Sequence, residues 1–172
     1  DSMNTSSRRA FVATGLAFLA SPALAAPNLS LSEAQQIVDR IVVFKESRRL
    51  YLYKDDRAVR NYRFDLGWSP IGHKQFEGDG RTPEGAYMIN RRNPNSNFYL
   101  SLGISYPNVN DVAYAQANGR SPGGDIFIHG WRNYGPYRGR RDWTAGCIAV
   151  TNRHMTDIWS RVATNTLILI QP

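Results

Sequence analysis

A mainly β fold with helices at its periphery is what this sequence predicts, and three observations carry the prediction. From residue 40 onward, β-branched and aromatic residues recur in short runs separated by polar turns. One run, Tyr62-Arg63-Phe64-Asp65-Leu66, alternates in the way of an antiparallel strand with one buried side. Helical spacing of apolar residues, by contrast, appears only in short isolated stretches. With 172 residues, no internal repeat and no low-complexity linker, the chain has material for one core.

The elements follow in order. Ser30-Leu31-Ser32-Glu33 is a capping box that opens a short helix with Leu31, Ala34, Ile37 and Val38 on one side, a brace within residues 26–39. Strands are expected at Ile41 to Phe44, Arg49 to Tyr53 and Val59 to Leu66, joined by polar turns at Lys45 to Arg48 and Lys54 to Arg57. Residues 67–84 are rich in glycine, proline and charge, the composition of a long loop that carries either function or disorder, and His73 falls in this flexible chain. Further strands are expected at Ala86 to Asn90 and Phe98 to Ile104. A helix from Val109 to Asn118 is capped by Asn108 and stopped by Gly119. Asp125-Ile126-Phe127-Ile128 then delivers His129 to a strand end. Met155, Ile158, Trp159 and Val162 repeat at helical spacing behind the cap candidates Thr151 and Asn152, with His154 on the helix flank, and Thr166 to Ile170 closes the chain as a strand.

The amino terminus reads as an address. Arg8 and Arg9 precede the apolar stretch Phe11 to Ala20 and the small-residue site Ala23-Leu24-Ala25, the pattern of an export signal with a cut before Ala26. Ser7-Arg8-Arg9-Ala10-Phe11-Val12 also fits a twin-arginine signal. Asp1 and Ser2, ahead of Met3, read as additions to the natural start, so residues 1–25 are set apart from the brace (26–39) and the main domain (40–172). The apolar stretch is short for a bilayer span, so the mature protein is expected to lie outside the cytoplasm, in the periplasm or beyond, with no stable membrane insertion. Loss of Arg8, Arg9 and Asp1 turns 21 basic and 14 acidic residues into 19 and 13, a net charge of +6. Such a surface suits an anionic partner, although a solvated basic surface accounts for most of the scattered arginines. Export and the lack of any nucleic-acid motif argue against nucleic acid.

Cys147 is the only cysteine, so it forms no internal disulfide, and a free thiol in an oxidising compartment calls for a reason. It lies in Asp142-Trp143-Thr144-Ala145-Gly146-Cys147-Ile148-Ala149-Val150, eighteen positions after His129. The bland alternative is a buried apolar cysteine. The functional reading is a nucleophile with His129, fixed at a strand end before Gly130, as its base. Catalytic zinc needs three protein ligands, and no close-spaced second histidine or carboxylate accompanies His129, so no metal is expected. Gly146 permits close backbone approach to a developing oxyanion. Acyl transfer through a thioester is the chemistry these residue types suit.

With these residues in view, the chain resembles the L,D-transpeptidase (YkuD) family of peptidoglycan enzymes over about residues 40–171. The resemblance rests on Arg49-Leu50-Tyr51-Leu52-Tyr53, on Gly78-Asp79-Gly80-Arg81-Thr82-Pro83-Glu84-Gly85-Ala86-Tyr87, on Ile128-His129-Gly130 and on Thr144-x-Gly146-Cys147-Ile148. It implies a β-sandwich or mixed sheet with the cysteine in a cleft under a loop lid. It also implies that Cys147 attacks an L,D-linked stem-peptide carbonyl, that His129 moves the proton, that the Gly130 carbonyl orients the imidazole, and that amides of Gly146 and Cys147 hold the oxyanion. A second stem amine would resolve the acyl-enzyme without any cofactor, so the implied partners are peptidoglycan stem peptides as donor and acceptor.

Two positions depart from the common pattern. Ala145 stands where many members carry a second histidine, and Ala149 where many carry an arginine, which marks an atypical subgroup with 3-3 or 1-3 cross-links as products. L,D-carboxypeptidase or amidase hydrolysis of stem-peptide or wall-protein linkages is the alternative, and a silent wall-binding domain a more distant one. Between the catalytic strands, Arg132, Arg138, Arg140 and Arg141 alternate with Trp131, Tyr134, Tyr137 and Trp143. Trp131, Arg132, Tyr137, Arg141 and Trp143 are candidates to bind the substrate and its carboxylates from a lid; a solvated basic loop with packing aromatics explains the same residues. Thr144 either hydrogen-bonds beside the nucleophile or holds the loop.

Overall fold

The computed structural model describes residues 37–131 and 140–172. The expected brace helix lies outside the described residues except for its end, where Ile37 to Asp39 are not helical. Eight strands form one mixed sheet: β1 (Arg40–Phe44), β2 (Arg49–Lys54), β3 (Arg57–Arg63), β4 (Gly85–Ser96), β5 (Tyr99–Ile104), β6 (Phe127–His129), β7 (Ile148–Ala149) and β8 (Leu167–Gln171), in the spatial order β3-β2-β1-β8-β4-β5-β6-β7. The meander is found in β1 to β3, which pair antiparallel. The last strand then enters between β1 and β4, parallel to β1 and antiparallel to β4. This covers the strand the meander alone would leave as an edge, and Ile41, Val42 and Val43 are accordingly all buried. At the true edge, β3 is mostly exposed and carries Arg57, Arg60 and Arg63, charges that discourage pairing with another chain.

β4 is more than twice the expected length and joins the two halves of the sheet. Gly85 to Met88 pair with β8, while Ile89 to Ser96 pair with β5. Register shifts between Ile89 and Arg91 and between Asn93 and Ser96 bend it, as bulges do. One apolar cluster runs through both halves, from Ile41, Leu50 and Leu52 to Leu102, Ile128 and Ile148.

Two helices are described. In α1 (Val109–Ala117), Asn108 accepts from the amides of Asn110 and Asp111 while Asp111 accepts from the Asn108 amide, and Gly119 follows at φ +65. In α2 (Asn152–Arg161), the Thr151 hydroxyl accepts from the His154 amide, and Met155, Ile158 and Val162 enter the core. α2 packs on β5 and β6, so its first turn lies behind the strand that carries His129.

The polar turn expected at Lys45 contains a buried ion instead. Lys45 is 2% exposed, and its ammonium donates to Gly72 O (2.6 Å), Thr82 O (3.1 Å) and Glu84 Oε1 (2.7 Å). Those partners lie 27 to 39 residues away, so no local pattern announces them. They tie the loop 67–84 to the end of β1. His73 is held in the same loop, its Nδ1 accepting from the Glu84 amide (2.9 Å) and its Nε2 facing Asp111 Oδ1 (3.0 Å). Among the described residues no helix is long and apolar enough to cross a membrane.

Candidate active site

The segment carrying Cys147 is gripped from two sides. On one side, β7 pairs in parallel with β6, placing Ile148 beside Ile128 and Ala149 beside His129. On the other, the chain after β3 acts as a second rail: the Thr144 amide donates to Leu66 O (3.1 Å), the Trp68 amide to Thr144 O (3.1 Å), and Asp65 exchanges amide bonds with Ala149. Between these rails the turn is fastened by Thr144, whose hydroxyl donates to Cys147 O (2.7 Å) and accepts from the Gly146 amide (3.2 Å). A hydroxyl with one proton and two lone pairs can do both at once. The Gly146 amide, expected to face an oxyanion, is thus directed at Thr144.

Gly146 sits at φ +127, a region that side chains rarely adopt. A Cβ there would come within 2.5 Å of Arg81 O and 3.2 Å of Ile126 Cδ1. The approach is set by Thr82, which is fully buried and donates its hydroxyl to Gly146 O (2.7 Å). The Gly78 to Gly85 segment therefore reaches the nucleophile turn directly, and the Lys45 anchor holds it from behind.

His129 ends β6 and is 4% exposed. Its Nδ1 lies 2.6 Å from Gly130 O. A carbonyl only accepts, so Nδ1 carries the proton and the neutral ring presents its lone pair at Nε2. Gly130 itself is close-packed: a Cβ would meet Asn152 Oδ1 at 2.5 Å and Phe98 O at 3.1 Å. Phe98 lies tilted against the imidazole at 4.7 Å between centroids, and Trp143 meets it edge-on at 5.7 Å.

Cys147 and His129 line one cleft of about 270 Å³, together with Ser96, Phe98, Ser101, Asp125 and Phe127. The thiol, partly open to that cleft, donates to Asp125 O at 3.5 Å, an ordinary distance for a sulfur donor. Burial pushes Cys147 up to about 11, with the Asp125 charge adding to it and the Phe127 amide and Lys74 opposing. Burial likewise lowers His129, against the Gly130 carbonyl. Desolvation disfavours the charged form of each, so the resting pair is a neutral thiol and a neutral imidazole.

The expected substrate-binding residues divide. Trp143 packs between His129 and Trp131, whose centroid is 5.6 Å away. Trp131 donates its amide to Asn152 Oδ1 (2.7 Å). Thr144 is buried behind the nucleophile, and Arg141 is exposed beside Trp131 in a separate cavity. Arg132 and Tyr137, with Tyr134 and Arg138, lie outside the described residues, as does most of the expected lid. Sequence reasoning missed Phe98 and Asp125. A single aromatic at a strand start carries no distinguishing signal; Asp125, at φ +54 after Gly123-Gly124, could have been read as a tight entry into β6. Among the described residues no three His, Cys, Asp or Glu side chains gather into a metal-binding group.

Residues 38–170 match the L,D-transpeptidase catalytic domain, YkuD. The chain belongs to this family. It is 32% identical over 139 residues to YafK of Escherichia coli (strain K12), whose name assigns it to the L,D-transpeptidases; the match covers 77% of this chain and 50% of YafK. Its fold is similar to that of the helical cell shape determining protein Pgp2 from Campylobacter jejuni, with a TM-score of 0.59 and 26% identity over 78% of this chain and 48% of Pgp2. An L,D-transpeptidase from Xylanimonas cellulosilytica shares the fold at a TM-score of 0.51 and 16% identity, covering 78% of this chain and 61% of that one. The chain spans about half the length of YafK and of Pgp2. As in the Xylanimonas cellulosilytica structure, the expected mainly β architecture with peripheral helices is what the chain adopts.

Proposed function

We propose that this L,D-transpeptidase-family domain is a cysteine acyltransferase that joins peptidoglycan stem peptides through a thioester, working outside the cytoplasm once residues 1–25 have directed export. Residues 26–39 would serve as a brace to the catalytic unit of 40–172. The observation that carries the reading is the shared cleft of Cys147 and His129, in which the Gly130 carbonyl holds Nδ1 and leaves Nε2 as the base. Because both groups rest neutral, the thiol proton passes to Nε2 as Sγ bonds to the L,D-linked carbonyl carbon. The tetrahedral oxyanion is received by the Cys147 amide, the Gly146 amide being engaged with Thr144 at rest. Collapse breaks the C–N bond, and the Nε2 proton leaves with the departing amine. A second stem amine then attacks the thioester, gives its proton to Nε2 and displaces Sγ, which takes the proton back. The product is a 3-3 or 1-3 cross-link, according to whether the third or the first stem residue is the acyl donor.

The test is a product analysis. The protein and its Cys147→Ala variant are incubated with purified disaccharide-tripeptide and disaccharide-tetrapeptide muropeptides, and the products are sequenced by mass spectrometry. Cysteine-dependent dimers are expected, with fragmentation assigning the bond. Shortened monomers without dimers would replace transpeptidation by hydrolysis, and wall-modifying activity that survives Cys147→Ala would remove the nucleophile.

A further inference from the structure

His129 is held through a peptide group, and that group is held at both ends. Gly130 O and Trp131 N belong to one planar unit, so whatever fixes the N–H also fixes the carbonyl. The carbonyl accepts from His129 Nδ1 (2.6 Å), and the N–H donates to Asn152 Oδ1 (2.7 Å). A backbone N–H only donates, so the Asn152 carboxamide turns its oxygen towards it. Imidazole, peptide and carboxamide thus form a chain of two hydrogen bonds. In a site where His129 is buried, such bonds polarise one another, and the Gly130 carbonyl accepts more strongly because its N–H is engaged.

Glycine at position 130 is required by the same contact, since a Cβ there would meet Asn152 Oδ1 at 2.5 Å. Glycine also leaves the peptide freer to rotate than any other residue would, so the carbonyl stays on Nδ1 only if something outside the strand holds it. Asn152 can do so because it stands on a rigid element. Thr151 and Asn152 are both cap candidates in the sequence, and the structure gives the cap to Thr151, whose hydroxyl accepts from the His154 amide (3.2 Å). The Asn152 side chain turns instead to a partner 21 residues earlier in the chain. Its helix, α2, is anchored in the core by Met155, Ile158 and Val162 and packs on β6, and the Val150 amide just before it donates to His129 O (2.9 Å). Histidine, peptide and asparagine therefore share one frame.

We propose that Asn152 is a positioning residue for the acyl transfer: by accepting from the Trp131 N–H it locks the Gly130–Trp131 peptide with its carbonyl on His129 Nδ1, which keeps the proton there and the lone pair at Nε2 for the Cys147 thiol. The proposal rests on the reading of Cys147 and His129 as nucleophile and base. Asn152 itself touches neither the thiol nor the imidazole; it acts through the peptide. Without it the peptide can turn, the imidazole loses its preferred acceptor, and part of the population carries its proton on Nε2, where it cannot take the thiol proton.

Nitrogen-15 NMR of the imidazole reads the tautomer in the free protein, with no substrate present. At pH 7.5 the wild type is expected to show a protonated Nδ1 and a bare Nε2. Asn152→Ala, which keeps the Thr151 cap, should give a mixture of tautomers and lower the acylation rate at saturating stem peptide by about 10-fold or more, with KM within about 2-fold. Asn152→Asp keeps an acceptor for the Trp131 amide and should retain the Nδ1 tautomer and a rate within about 3-fold of wild type. Thermal melts check that both variants are folded. In the wild type the Trp131 amide should exchange slowly with deuterium, and exchange at the rate of an open loop would overturn the proposal whether or not the variants fold. An Nδ1 tautomer intact in folded Asn152→Ala would overturn it too, even with slower acylation, because the role would then be structural only; so would equal losses in the alanine and aspartate variants. A tautomer shift in Asn152→Ala together with a wild type that forms no thioester would sink the acyl-transfer reading and leave the hold on His129 standing.

Discussion

The protonation state of the resting nucleophile can be read by alkylation. Burial raises Cys147 from 9.0 to about 11, which lowers the thiolate fraction at pH 7.5 by about 100-fold. Iodoacetamide consumes the thiolate, so its rate with the free protein should fall about 100-fold below that of an exposed cysteine peptide and climb roughly tenfold per pH unit through pH 6 to 9.5. His129→Gln should change that rate by less than about 3-fold, because no thiolate–imidazolium pair exists to be lost, yet reduce acylation by stem peptide by about 100-fold or more. Since burial keeps His129 neutral to a pH below its ordinary 6.5, acyl transfer should fall only as the pH drops beneath that value. The folded thiol keeps its proton to higher pH than the unfolded one. Its contribution to stability is therefore complete below pH 9 and lost as the pH rises towards 11. An alkylation plateau near pH 7, abolished by His129→Gln, would mean that a charged pair preexists and that the neutral resting state is wrong.

Two substitutions test the supports of the site. Gly146→Ala places a Cβ against Arg81 O at 2.5 Å in a left-handed conformation; a loss of about 1–3 kcal/mol in chemical denaturation and a fall of about 100-fold or more in acylation are expected, and wild-type values in both would show that the turn can yield. Lys45→Met strands the Glu84 carboxylate and two carbonyls. A cost of about 3 kcal/mol in urea unfolding is expected, partly relieved by adding Glu84→Gln, and strictly additive costs would deny the coupling.

Much of the fold is legible in the sequence because its signals are local. Asn108 with Asp111 and Thr151 ahead of Met155 bond within a few residues of themselves, and both helices begin where those residues place them. The runs at β1 and β2 pair with their neighbours across a short turn, so composition and spacing suffice. The limits of β3 and β4 are not local. The ladder leaves β3 at Arg63, where the chain turns to meet Ala149, and β4 continues far past Asn90 because β5 is there to pair with it.

By itself, the sequence determined the chemistry available: one thiol, one histidine at a strand end, a glycine before the nucleophile and a glycine-rich segment upstream. Residue types and short-range order are properties of the chain, and they suffice to name the family this protein resembles. Only the tertiary structure decided how those groups are poised. It fixed the proton on Nδ1 by aiming that nitrogen at Gly130 O, turned the Gly146 amide to Thr144, buried Lys45 under a loop some thirty residues away and gathered Arg63, Asp65 and Arg141 around Ala149. Each of these depends on groups brought together by long-range strand pairing, and burial changes the charge state of groups whose identity alone leaves it open.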